Sequence, residues 1–566
     1  MSLSAQTKNK FTVGSYLARR LEEIGACDYF TVPGDFNLTL LDEFLKNPKL
    51  RLVSCCNELN AGYAADGYAR AKGVGVTVTT FCVGSLSQIN AIAGAYAEDL
   101  PVIAISGGPN THAQASGELL HHTLGNVSNR YVCDLFAQVT ACATIVTDPA
   151  KAPRQIDDAI QLCLRLKKPI YLEIACNIAD APCREPKPFL LEQKNFTKKL
   201  VLAKAVKHAA RKLGEAKKPM LVAGVKLRSS DAQAAFTELV RSSGYAFASM
   251  PNAKGFIAET LKEYTGIYWG AISSVGVKEV VESAEAVVYA GPVFTDYTTC
   301  GHTMLLNDKR IIRVDPESVT IDGVTYPDIR MKDFLFALSQ VVTFNSTSLH
   351  QFNQTKMRMV TEKKIQPHKK LTRQYLFTVI QSLLQKDSLV IAETGDSWFN
   401  CMQLALPEGC GFEIQMQYGS IGWSVGATLG AALGRQDKRR VVACIGDGSF
   451  QLTAQELSTM IRYETNPIIF LINNRGYTIE VEIHDGPYNQ IQNWKYTELV
   501  SVFNGKNGKG FGCRVANEGE LLEAVNQSRK NKGPSFIEVL LEPDDCSKEL
   551  LEFGSYVAQH NGREKP

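Results

Sequence analysis

Nowhere in the 566 residues does an uncharged apolar run reach the length needed to cross a bilayer, and residues 1–8 (MSLSAQTK) lack the apolar core of a secretory signal. A cytoplasmic location is therefore expected, or an organelle if a transit peptide has been removed. Charge of one sign is equally scarce. The net charge of +3, with 21% charged residues, gives no footing for a nucleic-acid binder. Lys167-Lys168, Lys217-Lys218 and the run 438–440 stand just before apolar stretches, where solvated loop ends carry charge. The fifteen cysteines are odd in number and contain no C-x-x-C pair or framework spacing, so they read as small core hydrophobes in a reducing compartment. Cys55-Cys56 and Cys444 are expected on apolar strands. No low-complexity tract and no short-period repeat is present. Nor does a G-x-G-x-x-G run open a helix in the central third, which removes the main support for a dinucleotide oxidoreductase.

What is there is a globular composition, 45% hydrophobic, too long for one core. Strand-like runs alternate with helical patterns, the grammar of α/β domains with parallel sheets covered on both faces. Residues 75–81 and 101–106 read as strands flanking a helix over 86–96. In the last third, strands over 440–445 and 467–472 flank a helix over 451–463. The central third offers strands over 220–223, 286–290 and 310–314. Residues 179–199 are rich in proline and charge, and 343–372 are polar and basic, so both read as linkers. Three doubly wound domains follow, over 1–190, 191–365 and 366–566.

The strand over 440–445 runs into Gly446-Asp447-Gly448-Ser449, and the next strand ends in Asn473-Asn474-Arg475-Gly476. Glycines let backbone approach an anion, and the amides of a following helix point toward it. Strands joined by a helix in one sheet run parallel, so Asp447 and Asn474 emerge at the same carboxyl edge, where ligands bind in open α/β sheets. With the Gly476 carbonyl they form a hard oxygen set suited to magnesium, which takes its remaining positions from phosphate and water. Singly, Asp447 could be an N-cap and Asn474 a turn residue. The pair at this spacing points to a metal and a diphosphate.

The segment 446–474 is similar to the binding motif of thiamine-diphosphate enzymes. With residues 57–68 (NELNAGYAADGY), His121-His122, residues 393–398 (ETGDSW) and residues 477–480 (YTIE), the whole chain resembles the pyruvate decarboxylase family. The resemblance implies thiamine diphosphate and Mg2+ as cofactors and a pyrimidine-binding, a middle and a diphosphate-binding domain. It also implies non-oxidative decarboxylation of a small 2-oxo acid to the aldehyde. In that family one subunit's first domain and its partner's third domain complete each site, so a homodimer, and a tetramer as a dimer of dimers, is implied. The metal ligands would be Asp447, Asn474 and Gly476, with Gly446, Gly448 and Ser449 around the diphosphate.

Resemblance also assigns the chemistry. Glu58 would bond the pyrimidine and drive the cofactor's own amino group to activate it; from position alone it reads equally as a helix-capping acid. Ile421 would wedge between the cofactor rings, Gly419 would offer a backbone contact, Asp396 a diphosphate contact and Thr394 a pocket contact. After carbon dioxide leaves, the reacting carbon must be protonated, and Asp35, His121, His122 and Glu480 match the family's polar groups there. Alone, Asp35 reads as a turn residue and the histidine pair as a metal or capping site. Trp398, Tyr297, Ile479 and Ile483, with Phe553, match the substrate side, where bulk favours a short acyl group such as that of pyruvate. Phe553 stands where some relatives carry tryptophan. Residues 221–228 lack the cysteine that fungal relatives carry near there. The weighed alternatives are a decarboxylase of indolepyruvate or branched-chain 2-oxo acids, an acetohydroxyacid synthase, and a silent cofactor-binding homologue. The joint presence of the His121-His122 pair, Glu480, Glu58 and the metal set argues against the last two.

Overall fold

Strands that are apolar end to end in the sequence become the centres of three sheets, because strands covered by helices on both faces have no solvent side to alternate toward. The computed structural model describes residues 11–125, 127–191, 197–305, 307, 309–356, 366–435 and 440–562. The expected signal-free start, Lys438 and Arg439 of the basic run, and the domain boundary at 365 lie outside the described residues.

In the N-terminal sheet six parallel strands lie in the order Arg51–Ser54, Asp28–Thr31, Gly75–Thr79, Val102–Gly108, Ile170–Ala175 and Ala143–Val146. The C-terminal sheet repeats the plan with six parallel strands, Gly411–Glu413, Leu389–Ala392, Val441–Gly446, Ile468–Asn473, Ser535–Leu540 and Phe511–Val515. Both match the expected class. The middle sheet has seven strands and departs at one edge. Tyr264–Ile267, Ala246–Ser249, Pro219–Ala223, Ala286–Ala290 and Ile311–Asp315 are parallel, but Ser318–Ile321 and Val324–Pro327 fold back antiparallel. Asp322-Gly323 makes that hairpin turn, both residues with positive φ (49° and 77°), as a two-residue loop between twisted strands demands.

Further sequence expectations need correction. The stretch 343–372 is not a plain linker, since Thr347–Lys356 is a helix. Its polar composition hides one apolar contact face, from which Phe352 is buried against the middle domain and Ser348 donates to the Pro219 carbonyl at 2.8 Å. The helix expected over 451–463 is two, Asp447–Thr453 and Glu456–Arg462, so the first begins on the metal-motif aspartate itself. All fifteen cysteines are free. Cys444 is buried on its strand as expected, but Cys55, buried, and Cys56, exposed, both lie beyond the strand end at Ser54. No described helix is long and apolar enough to cross a membrane.

The outer domains are clamped within the chain by two helices of small residues, Glu58–Lys72 and Trp423–Gly434. A Cβ on Gly430 would fall 1.8 Å from the Ala64 carbonyl oxygen, so only glycine permits this approach. At its edge buried Arg70 pairs with Asp66 (2.7 Å) and Glu413 (2.9 Å), and the Trp423 indole donates to Asp66 (2.9 Å). Glu58 and the 419–422 turn are thereby placed at the ends of one helix pair.

Candidate active site

Parallel pairing of Val441–Gly446 with Ile468–Asn473 brings Asp447 and 474–476 to one sheet edge, as the sequence argument required. Asp447 is fully buried; Oδ1 accepts from the Gly448 amide (2.8 Å) and Oδ2 from the Arg475 amide (2.6 Å). Burial pushes its carboxyl up to about 6, while the amides of Gly448, Arg475 and Gly476 pull the other way. A buried acid whose compensation is only backbone N–H fits a site that gains a cation. Asn474 uses its amide nitrogen to donate to Thr478 Oγ1 (2.6 Å), which leaves its carbonyl oxygen as the metal-type donor. Gly448 lies under the Tyr477 ring, where a Cβ would come within 2.5 Å. Ser449 is buried beside it, and a Cβ on Gly422 would lie 3.3 Å from the Ser449 carbonyl. The donor set thus fits magnesium and a diphosphate.

The 419–422 turn joins this floor. Gly419 has φ +66° with open space at its Cβ position, and Ile421 is half-buried. Thr453 donates to the Gly422 carbonyl at 2.7 Å. Thr394 and Asp396 follow the Leu389–Ala392 strand. Asp396 accepts from the Ser547 backbone (3.2 Å) and hydroxyl, at the N-cap of the Lys548–His560 helix, and burial raises its carboxyl. Its carboxylate is thus already engaged with the C-terminal helix.

The Thr478–Ile483 helix carries exposed Glu480 between buried Ile479 and Ile483. Glu480 is near enough to Tyr297 for its charge to help raise the phenol, after burial as the main cause. Tyr297 meets Trp398 edge-on at 6.2 Å and Phe553 at 5.1 Å. Trp398 is fully buried and its indole N–H has no partner among the described residues.

A second constellation forms on the N-terminal domain. Asp35 meets His121 Nε2 at 2.7 Å and His122 Nε2 at 3.8 Å, and the three ligand atoms lie within 4.8 Å of one another. His121 stacks on Phe36 at 5.1 Å. That loop is seated by Gly107, whose Cβ would strike the Phe36 carbonyl oxygen at 1.9 Å. Glu58 opens its helix, but the cap is Asn57, whose side chain accepts from the Asn60 amide at 2.8 Å. Capping therefore does not need Glu58. Its carboxyl lies over the start of the Val83–Ala97 helix, 3.1 Å from where a Gly84 Cβ would be.

Among the described residues no hydrogen bond or ion pair links Asp35, His121 or His122 to Glu480 or Asp447. The two groups are separate hydrogen-bonded clusters. Sequence reasoning gave no role to Glu393, a fully buried acid that accepts from Thr394, Gly422 and Ser424, nor to Glu456, buried against the Cys56 amide (3.4 Å). A charge ending the apolar run 389–392 was the available signal for the first.

Comparison with known proteins identifies the family. Three profiles of thiamine pyrophosphate enzymes match: the N-terminal TPP binding domain over residues 11–130, the central domain over 206–335 and the C-terminal TPP binding domain over 398–539. The chain is 51% identical to pyruvate decarboxylase 2 of Oryza sativa subsp. japonica over 558 residues, which covers 98% of this chain and 92% of that one. It is 50% identical to pyruvate decarboxylase 2 of Arabidopsis thaliana (98% and 92% covered) and to pyruvate decarboxylase 1 of Pisum sativum (98% and 94% covered). With three thiamine pyrophosphate enzyme domains and about half its residues identical to pyruvate decarboxylases over nearly its whole length, the chain belongs to the pyruvate decarboxylase family of thiamine-diphosphate enzymes.

Proposed function

We propose that the two half-sites, one from each of two copies of this chain, make a thiamine-diphosphate site that converts pyruvate to acetaldehyde and carbon dioxide. The observation that carries the reading is buried Asp447 beside Asn474 at one sheet edge, compensated only by backbone amides, in a chain about half identical to pyruvate decarboxylases. When bound, the cofactor supplies a nucleophilic carbon and an electron sink for the departing carboxylate.

Asp447, Asn474 and the Gly476 carbonyl hold Mg2+, and Gly446, Gly448 and Ser449 face the diphosphate. Ile421 and Gly419 would lie against the cofactor, with Thr394 beside it. Asp396, which also accepts from Ser547, would contact the diphosphate. Glu58 bonds the pyrimidine. Protons reach the reacting carbon from Asp35, His121, His122 and Glu480, whose individual shares belong to a coupled set. Buried Trp398, with Tyr297, Ile479 and Ile483, limits the acyl group to a short one.

The dimer is supported by exposure: side chains of His121 and Asp35 are 60% and 53% accessible in the single chain, unlike acids that must work away from water. A partner copy that covers them with its Glu480 and Asp447 side completes the site, and a dimer of dimers extends this to a tetramer. Free cysteines suit a cytoplasmic setting.

The roles are tested by Glu58→Gln and Asp447→Asn. Glu58→Gln should retain thiamine diphosphate with Mg2+ while acetaldehyde formation falls roughly 100- to 10,000-fold; Asp447→Asn should lose cofactor binding at low Mg2+. Full turnover by Glu58→Gln overturns its assignment.

A further inference from the structure

The strand Leu389–Ala392 is buried throughout and hydrogen-bonded on both sides, and the next residue, Glu393, is 0% exposed. A carboxylate in such a place depends on the hydrogen bonds made to it. Oε1 accepts from the Thr394 amide at 2.9 Å. Oε2 accepts from the Gly422 amide (3.2 Å), the Ser424 amide (3.2 Å) and the Ser424 hydroxyl (2.6 Å). Burial pushes the carboxyl up, and those neutral donors oppose it.

The donors belong to two different turns. Thr394 opens the segment leading to Asp396, while Gly422 directly follows Ile421 and adopts φ +89°. The Gly422 carbonyl in turn accepts from Thr453, at the end of the helix that Asp447 begins. One carboxylate therefore touches the pocket turn with one oxygen and the wedge turn with the other, and the wedge turn rests on the diphosphate helix.

We propose that Glu393 is a positioning residue that locks the 394–396 and 419–422 turns into the single geometry that receives the cofactor. It touches neither substrate nor, by this account, the cofactor; it fixes the distance between the groups that do. The proposal rests on the reading that Thr394, Gly419 and Ile421 contact thiamine diphosphate. The simpler alternative, a remote acid that only caps the Trp423–Gly434 helix, would serve stability alone.

Gln at this position keeps size and shape but changes one edge from acceptor to donor, so an N–H must oppose either the Thr394 amide or the Gly422 and Ser424 donors. The test uses the full chain with Mg2+, titrating thiamine diphosphate and following tryptophan fluorescence. It also measures kcat and the KM for pyruvate at saturating cofactor, and Tm without cofactor. Glu393→Gln should raise half-saturating cofactor roughly tenfold to a hundredfold. Its kcat at saturation should fall by about a hundredfold, as for misplaced reacting groups, with the KM for pyruvate within about twofold. Ser424→Ala, which removes one of four donors, should give the same pattern at roughly three- to tenfold. A lowered Tm in Glu393→Gln with unchanged half-saturation and kcat overturns the proposal in favour of capping. Should Glu393→Gln fail to fold, Ser424→Ala decides, and unchanged cofactor affinity there overturns it equally. Failure of the unmodified chain to bind thiamine diphosphate would remove the cofactor reading and this proposal together, a result distinct from binding that the substitutions leave untouched.

Discussion

Glu173 makes the fold of the N-terminal domain sensitive to pH in a direction opposite to that of most acids. It lies on the Ile170–Ala175 strand, 1% exposed, accepting from the Tyr171 hydroxyl at 3.1 Å, and its Cγ would lie 2.7 Å from a Cβ on Gly108. Gly108 adjoins Gly107, which seats the Phe36 loop beneath His121. Burial raises the Glu173 carboxyl from an ordinary 4.5 to about 7. Folding thus increases its proton affinity, so stability is full below 4.5 and is lost as the pH rises through 7. At about 1.4 kcal/mol for each tenfold in proton affinity, the loss approaches 3 kcal/mol near pH 8 as an order of magnitude. Glu173→Gln does not ionise and escapes it. Its amide adds a fixed offset, so only the change with pH is diagnostic. Urea unfolding of both proteins from near pH 4.5 to near pH 8, without cofactor, should show wild type losing about 3 kcal/mol relative to the variant. A gap that stays constant, or that moves in favour of wild type as pH rises, would refute the reasoning.

Two further expectations concern the site. Trp398→Ala opens the wall beside Tyr297 and should raise the preference for a branched 2-oxo acid over pyruvate by roughly tenfold or more in kcat/KM, while costing about 3 to 5 kcal/mol of stability; an unmoved preference defeats the pocket argument. Inactive Glu58→Gln and Asp447→Asn proteins, mixed so that subunits exchange, should recover about a quarter of wild-type sites, because half the dimers would be hybrids with one intact site each. No recovery despite exchange, shown by mass with one variant isotope-labelled, would mean that each site is built within one chain.

The parallel sheets were legible because their strands are apolar on both faces, and the Asp447 and Asn474 pairing followed from the topology of two adjacent strands. The antiparallel edge of the middle sheet was written in Asp322-Gly323 between β-branched runs, a hairpin signal outweighed by the surrounding α/β rhythm. The Thr347–Lys356 helix was obscured because tertiary packing of Phe352, rather than a repeating apolar stripe, holds it. At the site, residue types and family resemblance proposed the groups, yet contacts between distant segments stayed out of reach. Asp35 with His121, Glu393 with Ser424 and Asp396 with Ser547 each join residues far apart in the chain, and no local pattern encodes such pairs.

The central claim, a decarboxylase whose metal and diphosphate are held at Asp447 and Asn474, is tested most directly by reconstitution. Protein stripped of metal and cofactor is given thiamine diphosphate and Mg2+, then pyruvate without any nicotinamide, and both products are quantified. The account predicts acetaldehyde and carbon dioxide in equal amounts, with neither formed when Mg2+ or the diphosphate is withheld. Absence of both products from the fully reconstituted protein would contradict it.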